Sequence, residues 1–265
     1  MRQRRRVRDH LGGPMVAMMV TLVLLALTGG VLVLLEPAKP SAVPVSSATG
    51  TGAASVNPGP FGSGTLGPWE RLGKHISPDD EIRDALTFNG VFMFGDSIAV
   101  QDGPALEQLL ANRTGDSIAV HDWSGQPTSA AVDALEDWER RFGLPSRIVM
   151  AVGSNDIFDP PAFAAQVERA MRIAGPSRMV YWVNVYVSRV RQPAEVREAD
   201  RANSAWINQQ LEQAAVRHPN LQIVRWAEHV ASQPGGGANY LRDGIHTSPL
   251  GRTARNELIV AALGG

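Results

Sequence analysis

A serine, a histidine and several carboxylates and amides stand in short glycine-bearing blocks down this chain. The blocks are Gly95-Asp96-Ser97, a glycine at Gly125, Gly153-Ser154-Asn155-Asp156, and Asp243-Gly244-Ile245-His246. Each follows what reads as a strand or the loop after it, so together they collect at one end of a parallel sheet. A serine hydroxyl is a poor nucleophile until a base accepts its proton, and neutral imidazole suits that task near neutrality. Of the six histidines, His246 is the candidate. Asp243, three residues earlier, can share its face on a loop or a single helical turn, hold the imidazole in one tautomer and stabilise the imidazolium. Attack on an ester carbonyl builds negative charge on its oxygen, and donors aimed at that oxygen supply a large catalytic term. Three donors are expected: the backbone N–H of Ser97, the backbone N–H of Gly125, where a missing side chain permits close approach, and the side-chain amide of Asn155, which donates without carrying charge. Asp156 is expected to brace its loop. The set is equipped for acyl transfer through a serine ester.

The hexapeptide Gly-Asp-Ser-Ile-Ala-Val occurs at Gly95 to Val100 and again at Gly115 to Val120. An exposed nucleophile needs a strand ending just before it and a turn into a helix just after it. Ser97 has that context, with Val-Phe-Met-Phe ahead and a helical pattern behind. Ser117 has the reverse and reads as the structural start of a strand.

These positions, Ser97, Gly125, Asn155 and His246 with Asp243, resemble the block pattern of the SGNH (GDSL-type) hydrolase superfamily over roughly Phe88 to Leu263. Ile98 stands where the leucine is common, a volume-conserving change. The resemblance implies a compact three-layer α/β/α domain of flavodoxin-like type, a mechanism without metal or other cofactor, and an acyl-serine intermediate. Fewer than 180 residues run from the first strand of that domain to the end of the chain, and no apolar insertion stands near Ser97. An open cleft suits a small acyl group on a large polar carrier better than a buried lipid chain. Trp123, Asn184, Tyr186 and Arg189 are expected to line it, where aromatic and guanidinium groups suit sugars or anions, and His121 could border it. The expected activity is an esterase removing small O-acyl groups from an acylated envelope glycan, a glycolipid or a small ester. An O-acyltransferase using the same acyl-serine is the alternative, and a catalytically silent glycan-binding scaffold is a third reading.

Apolar segments alternating with helical ones should position these residues: strands near Val91 to Phe94, Ser117 to Val120, Arg147 to Val152, Met179 to Val187 and Leu221 to Trp226, with helices between and after them. The first of these helices is expected at Ala105 to Asn112 with Pro104 in its first turn, and a short helix from Pro78, capped by Ser77, stands ahead of them all. That alternation predicts a five-stranded parallel sheet covered on both faces, with the site beyond the carboxyl ends of its strands. Ahead of it, Met15 to Leu35 gives 21 residues without a charge. At ~1.5 Å rise per residue they span about 30 Å of bilayer. The expected organisation is a basic cytoplasmic tail at 1–13, one transmembrane helix at 14–36, a disordered Pro/Gly/Ser-rich linker at 37–68, and the hydrolase domain at 69–265. Arginines before the span keep that end cytoplasmic, which puts the domain outside the membrane; a cleaved secretory signal is the competing reading. Net charge is −1 for the whole chain, and setting aside the +4 of the first ten residues leaves −5 for the remainder, a mildly acidic body that is a poor match to nucleic acid.

Overall fold

The structure, a computed structural model, describes residues 62–235 and 237–265. The expected basic tail, the 14–36 span and the linker as far as residue 61 lie outside the described residues. Among the described residues, no helix is long and apolar enough to cross a membrane.

In chain order the elements are β1 (Lys74–Ile76), α1 (Asp79–Thr87), β2 (Val91–Gly95), α2 (Ser97–Thr114), β3 (Ile118–Trp123), α3 (Thr128–Phe142), β4 (Arg147–Ala151) and, after a 3-10 turn at Asp156–Phe158, α4 (Pro160–Ala174). The remainder runs β5 (Met179–Val183), α5 (Ala194–Arg217), β6 (Leu221–Val224), α6 (Trp226–Ala231) and α7 (Pro249–Ala262). Side chains alternate across each central strand as the pleat requires. On one face Phe92, Phe94, Ile148, Met150, Val180 and Trp182 join Leu135 and Trp138 of α3, Phe163 and Val167 of α4, and Ile207 and Leu211 of α5. On the other face Val91, Met93, Val149 and Tyr181 join Leu106 and Leu110 of α2 and Ile259 and Val260 of α7. Each fully buried side chain of this size contributes roughly 1.5–3 kcal/mol over leaving it exposed. The result is the three-layer α/β/α arrangement.

The sheet corrects the five-stranded parallel expectation. It has six strands in the order β1-β3-β2-β4-β5-β6, mixed rather than parallel. Strands β2 to β6 pair in parallel, whereas β1 runs antiparallel to β3, with Lys74 opposite Trp123 and Ile76 opposite His121. A strand of three residues is too short to show alternation, and its role is to cover an otherwise open edge. Ser77 does not cap α1. Its hydroxyl accepts from the Val120 N–H at 3.1 Å, extending the β1–β3 contact.

Two other boundaries move. Helix α2 begins at Ser97 itself and not near Ala105, with Pro104 inside it. An interior proline removes one backbone donor, and burial of Ile98, Ala99, Leu106 and Leu110 holds the helix through that break. The packed chain also starts before residue 69: Ser63 is 3% exposed, its hydroxyl accepts from the Asn203 amide at 2.8 Å, and its carbonyl accepts from Arg189 Nη2 at 2.6 Å.

Because β2 lies between β3 and β4, the connections leaving it and β3 turn to opposite sides and open a crevice above its carboxyl end. Ser97 follows that end directly. Ser117 lies at the other end of the sheet, its carbonyl accepting from the Val91 N–H at 2.9 Å.

Asp122 on β3 is fully buried, lies against Gly95 and Gly103, and has no hydrogen-bond partner for either carboxylate oxygen among the described residues. Burial first, and then the charge of Asp96, push its carboxyl well above the usual carboxylate range, against a weaker pull from Arg255. The native state therefore keeps a proton that the unfolded chain releases near about pH 3.9. The stability this group allows is full below that value and lost as pH rises toward the raised native value, by up to about 1.4 kcal/mol per pH unit. Asp122→Asn keeps the shape and removes the titration. It is expected to raise the urea midpoint by a margin that widens between about pH 5 and about pH 8, as a denaturation series would read; a margin independent of pH would show that the carboxyl titrates normally.

Candidate active site

Asp96 and Ser97 make the strand-to-helix corner. Asp96 is the N-cap of α2, its Oδ1 accepting from the Ile98 N–H at 2.9 Å, and its Oδ2 accepts from the Ser154 hydroxyl. Burial raises the Asp96 carboxyl, and those two hydrogen bonds and the charges of Arg255 and His246 act against the rise. Ser97 is therefore the first residue of an 18-residue helix, with its N–H at the positive end of the helix dipole.

The histidine arrives from 149 residues further along the chain. In the turn Asp243 to His246, Asp243 Oδ1 accepts from the N–H groups of Ile245 at 3.0 Å and His246 at 2.8 Å. Asp243 Oδ2 lies 2.8 Å from His246 Nδ1, and His246 Nε2 lies 2.9 Å from Ser97 Oγ. A carboxylate only accepts, so Nδ1 carries the proton and Nε2 is left to accept from the serine hydroxyl. Burial works to raise the Asp243 carboxyl, but the bonds from the His246 ring and from the N–H groups of His246 and Ile245 prevail and hold it below its ordinary value. Gly244 sits at φ +88°, and a Cβ there would stand 1.8 Å from the Ser188 carbonyl oxygen. The turn docks by that close approach: Ser188 and Val190 donate to the carbonyls of Gly244 and Asp243 at 2.8 and 2.9 Å.

The donor side is tied together by a residue the sequence did not single out. Gln126 is fully buried; its Nε2 donates to the Gly95 carbonyl, and its carbonyl accepts from Asn155 Nδ2 at 3.1 Å. Gln126 thus joins the serine block through its side chain and the asparagine block through its backbone carbonyl, within the Gly125 loop. Asn155 has a second amide N–H to offer a substrate oxygen. Gly125 takes φ +78°, and a Cβ on it would meet Trp69 Cβ at 2.8 Å, so the loop tolerates only glycine beside that ring. Asp156 has the bracing role: its Oδ2 accepts from the Thr128 N–H at 3.0 Å and hydroxyl at 2.7 Å, and burial raises it to about 6.

The four expected substrate contacts divide. Tyr186 borders open volume, at the junction of grooves of about 390 and 260 Å³, the second of which is also lined by Arg242 and Gly244. Trp123 is half-buried, edge-on to Trp69 with ring centroids 5.1 Å apart, and the Lys74 ammonium lies 4.2 Å from its ring centroid. Asn184 and Arg189 are corrected. Asn184 is 2% exposed, donating to Glu228 Oε2 at 2.6 Å and accepting from the Ala227 N–H at 2.7 Å; it braces the end of β5 against α6. Arg189 grips the buried Asp200 through Nε at 2.9 Å and Nη2 at 2.7 Å and reaches Ser63. Both side chains are consumed by partners distant in sequence. His121 also leaves the cleft, packing among Phe94 and Trp138.

A model of the family described as GDSL-like Lipase/Acylhydrolase matches residues 93–254, more than half of the chain. The chain is 24% identical over 182 residues to "Putative peptidoglycan O-acetyltransferase YrhL" of Bacillus subtilis (strain 168), covering 68% of this chain and 25% of that protein. It thus spans about a quarter of that relative's length. Among solved structures, a lipase/acylhydrolase from Enterococcus faecalis superposes with a TM-score of 0.55 at 19% identity, over 66% of this chain and 94% of that one. A GDSL-like lipase from Bacteroides thetaiotaomicron VPI-5482 does so with a TM-score of 0.54 at 16% identity, over 72% and 91%. At these identities the structural likeness speaks for the fold.

Proposed function

Since the chain belongs to the GDSL-like Lipase/Acylhydrolase family, we propose that it is a serine-dependent enzyme acting on small O-acyl esters of a cell-envelope glycan or glycolipid, with Ser97 as nucleophile, His246 as base and Asp243 as the group that orients it. The observation that carries this reading is the continuous relay from Asp243 Oδ2 through the imidazole to Ser97 Oγ, at 2.8 and 2.9 Å. Ser97 Oγ attacks the ester carbonyl while its proton passes to His246 Nε2. The oxyanion is met by the N–H of Ser97 at the start of α2, the N–H of Gly125 and the free amide hydrogen of Asn155. Collapse breaks the bond to the alkoxy oxygen, which leaves as the alcohol carrying the proton from His246, and the acyl group stays on Ser97. Water, deprotonated by the same imidazole, then releases the acid and restores the serine.

The second reading replaces that water with a sugar hydroxyl, giving O-acyl transfer. It is favoured by the similarity to the Bacillus subtilis protein, whose name specifies peptidoglycan O-acetyl transfer. The proposal includes a membrane anchor at 14–36 with the domain outside the cytoplasm, supported by the uncharged run Met15 to Leu35 behind five arginines in the first ten residues.

The test is an ester assay on the full-length chain with acetyl, butyryl and octanoyl donors, each with and without a peptidoglycan-derived oligosaccharide, products being followed by mass spectrometry. Acetyl turnover faster than octanoyl turnover is the expected result. Acylated oligosaccharide in the products would assign transfer, and free acid alone would assign hydrolysis. Faster octanoyl cleavage would remove the small-acyl part of the reading, and no turnover of any donor would end it.

A further inference from the structure

The turn that carries Asp243 and His246 is flanked by Arg242 and Thr247, and both flanks land on one place: Gln101 and Asp102, one helical turn along α2 from Ser97. Thr247 Oγ1 donates to Asp102 Oδ1 at 2.7 Å. Gln101 Nε2 lies 2.9 Å from the same Asp102 oxygen, 2.7 Å from Thr247 Oγ1 and 3.1 Å from the Thr247 carbonyl. On the other flank Arg242 Nη2 donates to Gln101 Oε1, and the Arg242 N–H donates to the His246 carbonyl at 2.8 Å. Asp102 and Thr247 are each 1% exposed. Asp102 is held from behind by α7, with Arg255 Nη1 3.8 Å from its Oδ2 and Asn256 Nδ2 donating to its carbonyl at 3.2 Å.

Asp243 closes the turn internally by accepting its two N–H groups, so the turn moves as a unit. The Ser188 and Val190 contacts fix it to the segment after β5, which does not carry the serine. Apart from the His246–Ser97 contact itself, its hydrogen bonds to the helix that begins with Ser97 fall on Gln101 and Asp102. We propose that Gln101 and Asp102 are positioning residues that set the His246-to-Ser97 geometry, acting through the Thr247 hydroxyl. The inference rests on the reading of Ser97 and His246 given above. A buried carboxylate receiving a threonine hydroxyl has a fixed direction, which apolar packing of the same volume lacks, and base-to-nucleophile geometry is where a displacement of about 1 Å can slow a reaction about 100-fold.

The test compares Thr247→Val, which keeps the shape and removes the hydroxyl, with Thr247→Ser, which keeps the hydroxyl and removes a methyl group. Each full-length variant is treated with a fluorophosphonate serine probe, the label is located by peptide mass spectrometry, and kcat and KM are measured on an acetyl ester. Thr247→Val is expected to slow labelling of Ser97 and lower kcat by about 10- to 100-fold at unchanged KM, and Thr247→Ser to restore both. Gln101→Leu, at a half-buried position, is a second variant expected to move the same way should Thr247→Val fold poorly. Wild-type labelling rates in Thr247→Val or Gln101→Leu, or a Thr247→Ser rate as low as that of Thr247→Val, overturn the inference and leave the reading of Ser97 standing. A wild-type chain that does not label at Ser97 overturns that reading and the inference with it.

Discussion

Replacing Ser97 with alanine is expected to lower ester turnover by roughly 10⁴- to 10⁶-fold while leaving stability within about 1 kcal/mol of the parent. The rate falls because the atom that would carry the acyl group is gone, while the half-buried side chain loses one hydrogen bond, to His246 Nε2 at 2.9 Å. Asp96 keeps its cap on Ile98 and its bond from Ser154, so the corner into α2 should persist. Initial rates on an acetyl ester, paired with a urea denaturation curve, check both halves. Equal rates in the two proteins would remove Ser97 from the chemistry, and a collapsed denaturation midpoint would give the hydroxyl a structural duty instead.

The next largest effect is expected at Asp243. Its carboxylate accepts three hydrogen bonds, two that close the turn and one from His246 Nδ1. In Asp243→Asn the amide can still accept the turn bonds through its oxygen, which presents an NH₂ to the imidazole. Nδ1 must then accept, the proton moves to Nε2, and the nitrogen facing Ser97 Oγ can no longer take a proton. A loss of roughly 10²- to 10⁴-fold in kcat follows, with KM largely kept because the carboxylate does not touch the acyl group. Two-dimensional NMR of the histidine ring nitrogens would report the tautomer directly. Unchanged kcat together with unchanged ring shifts would assign the orienting role elsewhere, and Asp102 is not placed to inherit it, since its Oδ1 accepts from Gln101 and Thr247 and its Oδ2 faces Arg255 at 3.8 Å.

What was legible in the sequence is what short-range patterns encode. Alternating apolar segments located β2 to β6 and the helices between them, and strand-end loops carrying serine, asparagine and histidine located the blocks that the fold brings together. The less legible features depend on partners far along the chain. Nothing around Asn184 announces Glu228, and nothing around Arg189 announces Asp200 and Ser63, so two polar residues at a strand end looked like substrate contacts and are structural braces. Gln126 was passed over because a lone glutamine has no local signature; its meaning is that it touches the carbonyl of Gly95 and the amide of Asn155 at once. Strand β1 escaped because three residues, one of them half-buried, hold no period. Helix α2 was placed too late because Gly103-Pro104 reads as a helix start, while the buried contacts that carry the helix through it come from elsewhere.

The early packing of Ser63 bears on how the domain can be excised. A boundary at residue 69, where composition changes, would strip a hydroxyl from the buried Asn203 amide and a carbonyl from the Arg189 guanidinium. The Asn203 amide would keep the Ile157 carbonyl and Arg189 Nη2 would keep Asp200, but each would lose one acceptor, a cost of about 0.5–1.5 kcal/mol apiece. Expression vectors and protease-trimming schemes that start upstream of Ser63 keep this clasp intact. Those that begin after it would yield material whose lowered melting point reflects the scissors and not the enzyme.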